Sequence, residues 1–296
     1  MEHFLLGNIT WDALPHAWYT IGATASIALM GIAGAALITY YKRWKWLWKE
    51  WLTSTDPKKI GIMYIVVASV MFFRGGLDAI MIWIQQAIST GSSQGYLDAS
   101  HFQQIFTAHG DIMVFFVTMG FLFGLINLIL PLQIGARDLA FPFLNSLGFW
   151  LYVAGAIFIN MFFVIGGQFA AAGWLSLPPL SEIAYSPGTG VDYWIWSLQI
   201  SGLGSLLGGI NFVVTILKMR VKGMTLMKMP LFAWTSLCSM FLVIAAFPVL
   251  TATIGLLWLD RFFGMHFFTS GFGGNPMMYV NLIWMWGHPE VYILVI

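Results

Sequence analysis

Several unbroken apolar stretches run longer than the roughly 18 residues a helix needs to cross a bilayer, and nothing else limits this chain's fold as strongly. Seven can be drawn, at about 17–41, 60–88, 102–134, 141–166, 192–217, 231–259 and 276–296. In hydrocarbon, backbone groups must be satisfied internally, and a helix does this within one segment. The expected fold is an all-α polytopic membrane protein with about seven transmembrane helices, the N-terminal part of a larger helical bundle. Composition agrees: only 8% of the 296 residues are charged, against about a quarter in a soluble domain. A single cysteine, Cys238, excludes a disulfide framework and a Cys-rich metal site. The opening "MEHFLLGNITWDALPH" has neither the basic region nor the small-residue site of a cleaved signal peptide.

The basic residues give the orientation. Lys42, Arg43, Lys45, Lys49, Lys58, Lys59, Arg137, Lys218, Arg220, Lys222 and Lys228 fall in alternate connections, with only Arg261 opposite them. The positive-inside rule puts those connections in the cytoplasm and the N-terminus outside. The last span runs inward and stops at "ILVI" with no polar flank. Free carbonyls and a carboxylate are costly in lipid, so the chain is expected to be incomplete at its C-terminus.

Ionisable residues within spans are costly and usually functional. Arg74 and Asp78 stand at i,i+4 in "FFRGGLDAI", on one helix face, either as a structural ion pair or as part of a site in the outer half of the membrane. In "SHFQQIFTAHG", His101 and Gln104 lie near the outer end of their helix and His109 about 12 Å deeper. His109 reads either as a hydrogen-bonded packing residue or as an axial ligand of haem iron, with Gly110 leaving room beside it. Asn127, Asp138 and Asn145 bracket the turn "PLQIGARD". There Asp138 is either a solvated helix start or a proton entrance whose neighbouring amides order water. In "WGHPEVYI", His288 and Tyr292 share a face at i,i+4 and Glu290 points about 200° away from His288. A histidine, a phenol and a carboxyl together in mid-membrane suit a metal ligand, a proton donor and a proton relay. Asp111, two residues past His109, has no assigned role, and His3, His16 and His266 read as solvated loop residues.

Taken together, "TAHG", "PLQIGARDLAFPFLN", "GINF", "TILKMR", "MTLMKMP" and "WGHPEVYI" resemble subunit I of the haem-copper terminal oxidases, in order and nearly throughout the chain. The resemblance implies one subunit I domain over 1–296, with an extra first helix at about 17–41 and the common core from about 60. It implies that His109 is an axial ligand of a low-spin haem, with Trp174 nearby, and that His288 binds copper. Tyr292 would be cross-linked to His288, while Asp138, Asn127 and Asn145 would lead protons toward Glu290. Arg74, Asp78, His101 and Gln104 resemble the quinol-binding set of the bo- and aa-type quinol oxidases. A departure is Pro57, where the family usually has a histidine. The remaining ligands of the high-spin haem and the copper belong to later helices of the family.

The expectation is therefore part of a quinol:oxygen oxidoreductase that pumps protons, with membrane quinol and dioxygen as substrates and subunits II, III and IV as partners. It is expected in the bilayer of the bacterial inner membrane, with no nucleic-acid partner and with little activity as this fragment alone. Cytochrome c oxidase subunit I is the first alternative. An ion-coupled transporter is a distant one, which leaves His109 and the His288–Tyr292 pair without a task.

Overall fold

Asp56 and Pro57 show how a span begins here. The Asp56 carboxylate accepts from the Lys58 backbone N–H at 2.9 Å, and Pro57 occupies the first helical position, where no N–H is required. The computed structural model describes residues 18–163, 165 and 168–295. His3 and His16 lie outside them.

The described residues form seven principal helices: α1 (Trp18–Tyr40), α2 (Pro57–Ile88), α3 (Ala99–Ile134), α4 (Pro142–Phe163), α5 (Gly190–Lys218), α6 (Leu231–Phe263) and α7 (Pro276–Val295). Five of them, α2 to α6, are long and apolar enough to cross a membrane. A sixth is reached by counting Thr24–Tyr40 of α1 together with Trp44–Leu52, bent by 102°. Helix α7 forms where expected, but Asn281, His288, Pro289 and Glu290 dilute its apolar character. Residues 42–52, expected as a loop, instead form a short helical turn, Trp44–Trp46, and a π-helical stretch, Leu47–Leu52.

Helix α2 packs along α3, and α4, α5 and α6 each pack on the next helix, where small residues let them approach. A Cβ on Gly148 of α4 would lie 3.0 Å from the Gly204 carbonyl of α5. About two turns on, Ser197 donates to the Gly155 carbonyl at 2.8 Å across the same interface. Helix α3 carries a π-helical stretch, Ile112–Thr118, just beyond His109, where the Thr118 hydroxyl takes the Met113 carbonyl at 2.7 Å.

Two clamps tie the α2–α3 and α4–α5 connections to the bundle. Gln85, at the end of α2, donates to the Gln94 carbonyl at 2.8 Å and accepts from the Tyr96 and Leu97 N–H groups at 2.9 Å each. Arg261, near the end of α6, has a fully buried side chain paired to Asp192 at 2.6 Å. It also donates to the carbonyls of Ser181, Ser186 and Gly188.

Candidate functional site

One site is built from α2 and α3. Arg74 and Asp78 form an ion pair, and the Arg74 guanidinium lies 5.0 Å from the Phe163 ring centroid and 5.8 Å from that of Phe162. Asp78 is buried, and its second oxygen and Arg74 Nε have no hydrogen-bond partner among the described residues. Asp78 also lies within electrostatic reach of His109 and His101. Gln104 is committed through its carbonyl oxygen, which accepts from Phe169 N–H at 3.0 Å, so it pins the connection between α4 and α5. Its amide nitrogen has only a long contact, 3.4 Å, to the Ser100 hydroxyl.

His109 joins this group through one backbone atom. Its Nδ1 lies 3.0 Å from the carbonyl oxygen of Gly75, the residue between Arg74 and the rest of its turn. An imidazole held at Nδ1 in this way presents Nε2 outward, the arrangement that metal-binding histidines use. His109 thus fits an axial ligand of haem iron. The space at Gly110, however, is not vacant. A Cβ there would lie 2.9 Å from Trp174 Cβ, so the outer connection fills it. Trp174 therefore stands next to the residue after His109, and its ring meets Trp284 of α7 edge-on at 6.3 Å. Asp111 turns away from His109, as a two-residue spacing requires, and accepts from Trp194 Nε1 at 2.9 Å. Its other oxygen has no partner among the described residues.

On α7, His288 and Tyr292 have ring centroids 4.7 Å apart at 77°. Both are exposed on the described bundle, whereas Glu290 is buried with neither carboxyl oxygen hydrogen-bonded. Pro289 lies inside this helix. Among the described residues no three His, Cys, Asp or Glu side chains gather for a metal ion. His288 therefore fits as one copper ligand and does not by itself build a copper centre.

At the opposite end of the bundle, Asn145 Nδ2 donates to Asn127 Oδ1 at 2.7 Å, and Asn127 donates to the Phe123 carbonyl at 2.8 Å. Both amides are buried. Asp138 is half-buried in the turn before α4, and one of its oxygens accepts from Leu139 N–H at 2.7 Å. Sequence reasoning missed a third amide in this group. Asn211 of α5 accepts from Phe141 N–H at 2.9 Å and donates to the Phe141 carbonyl at 3.0 Å. Thr215, one turn on, accepts from Ala140 N–H at 2.9 Å. The signal was an asparagine inside an apolar span, in "GINF".

Residues 59–296 match the family described as cytochrome c and quinol oxidase polypeptide I. The chain belongs to this family. Among its relatives is cytochrome bo(3) ubiquinol oxidase subunit 1 of Buchnera aphidicola subsp. Acyrthosiphon pisum, 58% identical over 293 residues. Ubiquinol oxidase subunit 1 of Acetobacter aceti is 55% identical over 293 residues. A probable cytochrome c oxidase subunit 1 of Bradyrhizobium diazoefficiens is 55% identical over 295 residues. Each alignment covers 99% of this chain and 44% of the relative, so the chain spans less than half the length of the curated relatives it matches. The matched stretch of the family opens at the start of α2 and includes every site residue described above.

Proposed function

We propose that this chain is part of the catalytic subunit of a respiratory quinol oxidase of the bacterial inner membrane. In this reading it is multi-pass with its N-terminus outside, and with further oxidase subunits it oxidises membrane quinol, reduces dioxygen to water and pumps protons. The observation that carries the reading is the hydrogen bond from His109 to Gly75, which sets a haem-ligating imidazole one peptide unit from the buried Arg74–Asp78 pair. Two quinols release four protons and supply four electrons, and those electrons with four protons taken up through the cytoplasmic path reduce one dioxygen to two waters.

The chain's own residues divide the work. The Asp78 carboxylate accepts a proton from a quinol hydroxyl, while Arg74 orients that carboxylate. His101 and the Gln104 amide hydrogen-bond the quinol oxygens. Gly75 fixes His109 at Nδ1, so that Nε2 would hold the low-spin haem, and Trp174 stands beside the next residue. Low-spin haem, high-spin haem and copper supply one-electron transfer and dioxygen binding when bound. His288 would hold the copper, and Tyr292, in ring contact with it, would donate a proton from its hydroxyl and take the cross-link. Asp138 takes up protons at the cytoplasmic end, Asn127 and Asn145 order the water behind it, and the unpartnered Glu290 carboxyl receives them.

The test uses the full-length subunit in its membrane complex, comparing wild type, Asp78→Asn and His109→Ala. Asp78→Asn keeps the reduced-minus-oxidised haem spectrum and lowers quinol-driven oxygen uptake by tenfold or more, about 1.4 kcal/mol in the barrier. His109→Ala loses the low-spin band and oxygen uptake together. A second reading, a cytochrome c oxidase subunit, is favoured by the name of the Bradyrhizobium relative. Under that reading Asp78→Asn leaves quinol turnover as it was.

A further inference from the structure

The segment that follows α1 takes no part in the chemistry above. At Lys42 the backbone takes a left-handed turn, φ 54°, and residues 44–52 then run at 102° to α1. With α1 upright in a bilayer, this segment lies close to the membrane plane. Lys42, Arg43, Lys45 and Lys49 share one face, the lining of a single groove, and Trp44, Trp46, Trp48 and Trp51 are interleaved with them along the segment.

The charge on the basic face is not neutralised from within. Glu50, the segment's only carboxylate, is paired with Lys59 at 2.6 Å. Lys42, Arg43, Lys45 and Lys49 have no carboxylate within ion-pair distance among the described residues. Together with Tyr41, Trp46 and Glu50 they line a groove of about 470 Å³, with the Arg43 guanidinium 6.0 Å from the Trp46 ring. The segment is anchored at both ends. Trp44 Nε1 donates to the Thr39 hydroxyl at 2.8 Å, and Trp150 Nε1 of α4 donates to the Leu52 carbonyl at 3.1 Å. Setting the orientation of a membrane protein requires basic residues near the span ends but no groove that gathers them around an indole.

We infer that this groove binds the phosphate headgroup of an anionic phospholipid. The site places four cations at headgroup level beside indoles suited to the interface, the combination that recognises anionic lipid. The acyl chains run alongside α1, whose residues Leu29, Met30 and Ile32 are each at least 65% exposed.

The experiment takes the full-length subunit in its complex, in phosphatidylcholine nanodiscs containing about 20 mol% cardiolipin. It measures lipid retained after detergent extraction by native mass spectrometry. Wild type retains cardiolipin over phosphatidylcholine, and Lys42→Gln/Lys45→Gln/Lys49→Gln lowers that retention by about tenfold or more. Substituting arginine at the same three positions keeps it. The control, Lys218→Gln/Lys222→Gln/Lys228→Gln, removes equal charge from another basic connection and leaves retention within about twofold. Equal loss in both glutamine variants means diffuse surface attraction and overturns the proposal, as does absence of any preference for cardiolipin in wild type. Displacement of the lipid by millimolar inorganic phosphate makes the groove a soluble-phosphate site, which overturns it too.

Discussion

A methyl group added at Gly75 would sit 3.0 Å from the Met113 sulfur and 3.1 Å from Ile112 Cγ2, tighter than packed carbon atoms normally settle. Relief has to come from Met113 and Ile112 giving way by a few tenths of an ångström, beside the Gly75 carbonyl that holds His109. Gly75→Ala is therefore expected to shift and broaden the low-spin haem band, and Gly75→Val to abolish it. A visible spectrum of reduced membranes reads both. A second residue-scale prediction concerns the buried amide pair. Asn145→Ala leaves Asn127 Oδ1 without its donor, a loss of about 1–3 kcal/mol. A thermal melt of the purified complex reads it as a lower midpoint. The third concerns Glu182, in the outer connection between α4 and α5. Burial raises its carboxyl above the ordinary 4.5; the Thr269 hydroxyl and His266 oppose this and Asp260 adds to it. A carboxyl that binds its proton more tightly in the folded state stabilises the fold at acid pH, and that contribution is lost as pH rises from 4.5 through the raised value. Glu182→Gln should thus melt higher than wild type at neutral pH, with the gap closing below pH 4.5.

At the scale of elements, the Arg261 clamp carries the clearest expectation. Arg261→Met leaves Asp192 charged and buried and three loop carbonyls without their donor, a cost of about 3–5 kcal/mol. Lysine cannot replace the guanidinium's fork of donors. Protease added from the outside should cut the Ser181–Gly188 stretch faster in Arg261→Met and Arg261→Lys than in wild type. The clamp also shows where sequence reading stops. Arg261 stood out as the lone basic residue on its side, yet its partner lies 69 positions away and nothing local points to it. The same holds for Asp111 and Trp194, 83 positions apart. What local chemistry fixes was readable: the apolar runs, the i,i+4 pairs and the divergence of His288 from Glu290. The Asp56–Pro57 start and the Gly264 stop, which set α2 and α6 slightly longer than their apolar runs, were readable too, as cap signals. Residues 42–52 escaped because their lysines read as a loop, although interleaved tryptophans mark an interfacial helix.

Across the whole molecule, one side gathers Arg137, Lys218, Arg220, Lys222 and Lys228, and contact confirms the grouping. Val221 N–H donates to the Ile134 carbonyl at 2.9 Å, joining the turn after α3 to the one after α5. In a Cys238→Ser background, an impermeant maleimide added to spheroplasts should label Ser92→Cys and spare Lys222→Cys; the reverse pattern would invert the proposed topology. The arrangement of α2 and α3 carries a further consequence. The proposed quinol pocket and the haem-ligating imidazole share the turn around Gly75, so a molecule that presses on Arg74 and Asp78 also presses on the atom that aims the ring. Colour then becomes a gauge of occupancy: an inhibitor titrated into resting enzyme, with no turnover, should move the haem band in proportion to the sites it fills.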